Sequence, residues 1–263
     1  MKITFVIQGP LTCETIKTAK ICKKYGEVIV SCWDNDCPNL IKNLGRHAKI
    51  IKNKFFKPKG YNFQNIQYHI KTFFEGVRAA KTDYVIKLRS DEYFTDISNL
   101  VDTARKNPNK ITTCNFLFRP DVLFHPSDHI IGGKKKSLFS MLIWSMEFIK
   151  NFKEDKPVSA KRVGLKSELF YKDITAELTF CISYLKSKGI NVVEDIKGMD
   201  DKELKKYHKK IMNDHYALVR ASDMGNFLFR FKGNPDITGP TAFTSEEQFL
   251  NYNLKSIKSL KEL

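Results

Sequence analysis

Asp83-Tyr-Val-Ile-Lys-Leu-Arg-Ser-Asp-Glu92 decides how this chain is read. Tyr84-Val-Ile86 is an apolar run short enough for a buried strand, and it leads directly into Lys87, Arg89, Asp91 and Glu92. Two cations and two carboxylates therefore stand where a strand gives way to a loop. In open α/β sheets ligands bind outside the carboxyl ends of the strands. A strand tip carrying both signs suits an anionic ligand that brings a divalent cation, such as a nucleoside diphosphate with Mg²⁺ or Mn²⁺.

Upstream, the pattern alternates. Ile3 to Gln8 reads as a strand closed by Gln8-Gly9-Pro10, and Thr12 to Lys24 has helical spacing through Ile16, Ala19 and Cys22. Glu27 to Trp33 is a second buried strand, running into Asp34-Asn-Asp36, and residues 49–51 form a short third. Residues 53–63 read as loop. Asn65 to Ala80 is a strong helix, with Ile66, Ile70, Phe73, Phe74 and Val77 three and four apart. This order predicts an α/β fold, a mostly parallel, Rossmann-type sheet with helices on both faces.

Downstream, helices are expected at 96–107, 137–152 and 174–189, and a strand at 111–118. The segment 124–133 reads as a polar loop and 197–210 as a charged, mobile stretch. Strands at 216–219 and 226–231 complete the pattern. With no repeat and no low-complexity linker, 1–263 is expected to form a single domain, 1–100 being the nucleotide-binding half and 101–263 the acceptor side.

The totals fit a globular chain: 263 residues, 42% hydrophobic. No apolar stretch approaches the roughly 20 residues of a membrane span. The amino terminus reads as a first strand, since no small-residue cleavage site follows it. The six cysteines match no zinc spacing and read as reduced thiols. The expected location is the cytoplasm. A net charge of +16 is consistent with an anionic substrate or with peripheral contact with an anionic membrane. Its lysines lack interleaved aromatics, so no nucleic acid partner is expected.

In a parallel sheet, Gln8, Gly9 and Pro10, Asp34 and Asp36, and Lys87, Arg89 and Asp91 emerge at one edge. Gly9 allows close approach of a ligand, an acidic residue after the second strand can bond a ribose or base, Arg89 can grip a diphosphate, and Asp91 is the natural metal ligand. The chain lacks a phosphate-binding Gly-x-x-x-x-Gly-Lys-Ser/Thr loop, a Gly-x-Gly-x-x-Gly fingerprint, a Gly-x-Ser-x-Gly elbow and a His-Glu-x-x-His helix.

Phe5-Val-Ile-Gln-Gly-Pro-Leu11, Val28-Ile-Val-Ser-Cys-Trp33, Asn65-Ile66, Tyr84-Val-Ile-Lys-Leu-Arg-Ser-Asp91, Phe124-His-Pro-Ser-Asp-His129 and Ile174-Thr-Ala-Glu-Leu178 together resemble the WavE lipopolysaccharide-synthesis family. Its members look like GT-A glycosyltransferases, and where they usually carry Gln this chain has His69.

The resemblance implies a nucleotide-sugar donor of UDP or GDP type, a glycan or glycolipid acceptor and a divalent cation, Mn²⁺ or Mg²⁺. Gln8, Gly9, Pro10, Asp34, Asn65, Lys87, Arg89, Ser90 and Asp91 would bind the donor. Asp91 falls at the last position of the Asp-x-Asp motif, with Arg89 in place of its first Asp. By the same analogy Glu177, at a helix start, or Asp128 would be the catalytic base, and His215 a second metal ligand. A nucleotidyltransferase acting on a sugar phosphate and a non-enzymatic basic binder of nucleic acid or membrane are the alternatives.

Overall fold

The computed structural model describes residues 1–115, 122–154, 156–224 and 227–229. The chain begins β1 (Ile3–Gln8), α1 (Cys13–Cys22), β2 (Glu27–Trp33), α2 (Pro38–Leu44), β3 (Lys49–Asn53), α3 (Ile66–Ala79) and β4 (Tyr84–Arg89). It continues with β5 (Glu92–Phe94), α4 (Ser98–Lys106), β6 (Ile111–Cys114), β7 (Ile131–Lys134), α5 (Lys135–Lys150), α6 (Ala176–Ser187), α7 (Val192–Asp195), α8 (Asp201–His215), β8 (Tyr216–Val219) and β9 (Phe227–Phe229).

The main sheet has seven strands in the order β3-β2-β1-β4-β7-β6-β8, and β5 pairs with β9 in a separate ribbon. All pairings in the main sheet are parallel except those of β7, which runs against both β4 and β6. The expected mixed, mostly parallel α/β sheet is therefore what forms.

Alternation along the strands sorts side chains into two cores. Val6, Ile29 and Val85 join α3, α5 and α6 on one face. Phe5, Val30 and Ile86 join residues of α1 and α4 on the other. The helix α3 rides close on β1, because a Cβ at Gly76 would stand 2.2 Å from Val6 Cγ1. This seats the first turns of α3 over the carboxyl ends of β1 and β2.

Several expectations are corrected. Pro38–Leu44 is a short helix, which sequence reading passes over because only Leu44 is buried. Ile131–Lys134, expected as loop, is a strand between β4 and β6. Its Gly132 and Gly133 look like turn residues, yet they admit the packed side chains of Ile86, Thr112 and Leu138. The charged stretch 197–210 is ordered from Asp201 as α8. Asp200 and Glu203 form a reciprocal capping box, and Leu204, His208 and Ile211 are buried three and four apart. Of the expected strands, residues 116–118 and residues 226, 230 and 231 lie outside the described residues.

Candidate functional site

The even positions of β1 and the odd positions of β2 and β4 face α3, so Gln8, Trp33 and Arg89 end their strands on the same side of the sheet. Gln8 lies opposite Ser31 on β2 and Arg89 on β4. Between these strand ends and the first turns of α3 is a cleft of about 520 Å³. Gln8, Gly9, Pro10, Asn65, Arg89, Ser90 and Asp91, seven of the nine expected donor-binding residues, line it.

The floor is a clamp between the loop after β1 and the loop after β4. Ser90 N donates to Gln8 O (2.9 Å), and Ser90 Oγ donates to Pro10 O (2.6 Å). Ser90 O accepts from the hydroxyls of Thr12 and Thr15. Gly9 has φ +119°, and a Cβ there would stand 2.7 Å from Ser90 Oγ. Gln8 Oε1 accepts from Thr72 Oγ1 of α3 at 3.0 Å, tying helix to strand.

The far wall is aromatic. Trp33 packs edge-on against Tyr68 and Phe55, with ring centroids 5.3 and 5.5 Å apart, and Phe55 stacks on Tyr68 at 19°. Phe55 is 46% exposed at the mouth. The chain enters α3 through Gln64 and Asn65, both left-handed (φ 53° and 60°), a conformation that costs about 1–3 kcal/mol per non-glycine residue. Such strain is held by its surroundings: Gln64 Oε1 accepts from Ala176 N at 3.3 Å, and Asn62 Oδ1 accepts from Gln67 N at 3.0 Å.

The two remaining residues expected to bind the donor, Asp34 and Lys87, sit elsewhere. Asp34 is exposed, off the cleft wall, and its Oδ1 accepts from Phe55 N (3.0 Å), which fixes the loop after β3. Asp36 reaches the cleft instead, and accepts from the amides of Leu11 and Trp33. Lys87 points into the protein, fully buried, donating to the backbone carbonyl of Asp128 and standing 4.0 Å from its carboxylate. It supports the cleft from behind and does not line it.

Behind the cleft is a continuous polar cluster. Arg89 donates through Nε and Nη2 to both oxygens of Asp91, and its Nε is 3.4 Å from Glu92. Glu92 contacts His129 Nδ1, His129 Nε2 is 3.8 Å from Asp128, and Asp128 Oδ2 is 3.2 Å from the buried Nδ1 of His69. Burial opposes charge on both Asp128 and Lys87. The charge of Lys87 and the contact with His69 nonetheless hold the Asp128 carboxyl well below the usual range, while burial keeps Lys87 below the ordinary lysine value. Burial likewise keeps His69 below its ordinary value despite Asp128, so the ring is neutral at neutral pH. His69 lines the cleft, its side chain 20% exposed while Nδ1 is buried. Sequence reading gave His69 no role. A lone histidine inside a helix carries no signal until the partner from the 122–130 loop is known.

The two expected bases stand one layer further in. Glu177 opens α6 beyond the Thr175 cap and lies 3.7 Å from His125 Nε2. Asp128 and Glu177 share a void of about 10 Å³, room for a single water. Neither lines the cleft.

His215 cannot share a metal with Asp91. Ile86, Gly132, Thr112 and Ala217 are level across the sheet, and β8 runs parallel to β4. His215 therefore lies at the amino edge, roughly 20 Å or more from Asp91 by strand rise and spacing. The remaining candidate, Asp91, has both oxygens on Arg89. Among the described residues no three His, Cys, Asp or Glu side chains converge to hold a metal. The described residues do not fit a divalent cation held by protein side chains alone.

A crevice at the carboxyl ends of parallel strands, with an aromatic wall and an oriented guanidinium, defines an α/β protein with a ligand-sized cleft where such sheets bind their ligands. The chain belongs to the WavE lipopolysaccharide synthesis family, whose profile matches residues 3–262. No curated protein matches it in sequence. Among solved structures it is similar to the glycosyltransferase GlyE of Streptococcus pneumoniae TIGR4, with 14% identity, 100% of this chain, 63% of that chain and a TM-score of 0.42. It is also similar to glucosyl-3-phosphoglycerate synthase of Mycobacterium tuberculosis, solved with Mn²⁺, UDP and phosphoglyceric acid, with 11% identity, 98% and 77% coverage and a TM-score of 0.47. The chain thus spans less than two thirds of the length of GlyE.

Proposed function

We propose that the protein is a glycosyltransferase of lipopolysaccharide synthesis that takes a nucleoside diphosphate sugar in the cleft between β1, β2, β4 and α3. The observation that carries this reading is the pairing of an aromatic wall with a guanidinium oriented at the opposite side. The base stacks against Phe55 and Tyr68, as bases do on exposed aromatic faces. The diphosphate meets Arg89, whose Nε and Nη2 are held by Asp91 and whose Nη1 edge remains for the ligand. Gly9 leaves the backbone of the first loop bare beside it.

The leaving diphosphate is stabilised by Arg89, a fixed cation that needs no reorientation as charge develops. A divalent cation, expected from the fold class, is assigned no step, because the one carboxylate that would bind it is engaged. The proton of the acceptor hydroxyl passes to His69, the neutral base on the wall, with Asp128 orienting the ring. A nucleotidyltransferase draws no support here, since the loop Gln8-Gly-Pro-Leu11 carries no basic residue for a triphosphate.

The test is thermal stabilisation by UDP, GDP and CMP and their sugars, each in Mn²⁺ and in EDTA. A ligand that binds only the folded chain raises the melting temperature. One nucleotide class should do so, equally in both conditions. No shift with any of them refutes the reading, and a shift seen only with Mn²⁺ refutes the role given to Arg89.

A further inference from the structure

The opposite face of α3 borders a second concavity, a groove of about 600 Å³ against α5 and the 56–60 loop. Its floor is apolar: Ile70 and Phe74 from α3, Met146 and Ile149 from α5, with Phe56 and Phe152 at the ends. Its rim carries Lys59, Lys71, Lys150 and Lys153 against one carboxylate, Glu75. Glu75 is already shared by Lys71 (2.8 Å) and Arg78 (2.5 Å), and Lys150 is paired with Glu147 at 2.6 Å. Lys59 and Lys153 are exposed and have no ion-pair partner among the described residues.

Two of the four large hydrophobic side chains exposed among the described residues flank this groove. Ile143 is one helical turn from Met146 on α5, and Phe55 precedes Phe56 in a loop that also exposes Lys54 and Lys57. Phe56 joins groove to cleft, since its ring packs on Tyr68 with centroids 5.2 Å apart.

An apolar trough with an excess of lysine on its rim, Lys59 and Lys153 being unpaired among the described residues, complements one chemistry, an alkyl chain ending in an anionic head. We infer that the groove receives the acyl chain of an anionic lipid, with the head at Lys59 and Lys153. This deepens the glycosyltransferase reading by making the acceptor lipid-linked, and in that respect it rests on that reading. The binding event itself does not involve the cleft.

The experiment titrates the full chain by calorimetry with dodecyl phosphate below its micellar concentration, beside dodecyl maltoside, inorganic phosphate and phosphatidylglycerol vesicles. Dodecyl phosphate should bind, with maltoside and phosphate weaker by about tenfold or more. The exposed double variant Lys59→Glu/Lys153→Glu should weaken it about tenfold, as expected for two surface charge contacts. Met146→Asp should weaken it further, and neither variant should alter nucleotide stabilisation. Equal binding of maltoside and dodecyl phosphate overturns the anionic head. Unchanged affinity in both variants overturns the groove as the site. Binding to vesicles but not to the monomer overturns an acyl-chain site and assigns the surface to a membrane face. Absence of all binding, with nucleotide stabilisation intact, sinks this inference alone. Dodecyl phosphate binding without nucleotide stabilisation sinks only the glycosyltransferase reading.

Discussion

Arg89 holds both carboxylate oxygens of Asp91 at 2.9 Å, so the strand-tip acid that would serve a metal orients a cation instead. Burial works against both charges, and the pairing outweighs it, keeping Asp91 below the usual carboxylate range and Arg89 above its ordinary value. Arg89→Lys keeps the charge but cannot make the fork. Its nucleotide affinity, measured by calorimetry in EDTA, should fall by about ten- to a hundredfold, in line with a lost charge-assisted pair. An unchanged affinity would show that the guanidinium geometry is irrelevant.

Phe55 is half in solvent and supports little of the core. Phe55→Ala should leave the melting temperature within about 2 °C while weakening nucleotide binding by roughly 1–2 kcal/mol, the scale of one base stacked on one aromatic ring. A large loss of stability without loss of affinity would reassign the wall to structure.

Gly9→Ala places a methyl group 2.7 Å from Ser90 Oγ at a backbone φ of +119°. The cost should be about 1–3 kcal/mol in urea unfolding, from strain and from the displaced Ser90–Pro10 bond. The same substitution should reduce nucleotide binding, because the clamp is also the floor of the cleft.

His208 is buried in α8, where Nδ1 accepts from Phe124 N at 3.2 Å, and burial pushes its pKa down to about 4. Unfolded, a histidine titrates near 6.5. Its contribution to stability is therefore complete above pH 6.5 and is lost as the pH falls toward 4, by roughly 3 kcal/mol. His69, also depressed, acts in the same direction. Protonation turns the acceptor into a donor facing the amide of Phe124, itself at φ 54°, and so loosens the loop that carries Asp128. Urea unfolding at pH 7 and pH 5 should show the loss, and His208→Gln should flatten it.

Removing one partner of a buried pair costs more than removing both. Lys87→Met, which strands the Asp128 carboxylate, should destabilise by about 3 kcal/mol, and Lys87→Met/Asp128→Asn by less than the sum of the singles. With a donor found by the stabilisation screen, His69→Ala should lower kcat at least tenfold, with partial rescue by imidazole, and Glu177→Gln should lower it less. The reverse order would return the base to Glu177.

The β1–β4 half of the fold is legible because its signals are local. Mainly apolar runs ended by Gly9, Asp34 or Arg89 mark parallel strands, and the spacing of Ile66, Ile70, Phe73 and Val77 marks α3. The same alternation delivers Gln8, Trp33 and Arg89 to one edge. Ile131-Gly-Gly-Lys134 is illegible by that route, since glycine has no β propensity of its own. It becomes a strand because β4 and β6 leave a narrow slot that only small residues fill.

The sequence by itself determined which strand ends carry charge, and that the ends of β1, β2 and β4 share one sheet edge. Periodicity and chain direction are properties of consecutive residues. Only the tertiary structure decided which charges meet. Asp128 is brought 41 residues back to Lys87, His69 gains a carboxylate from another loop, Asp91 is engaged by Arg89, and His215 falls at the opposite edge of the sheet. Electrostatic coupling depends on distance through a low-dielectric interior, and spacing along the chain does not encode that distance.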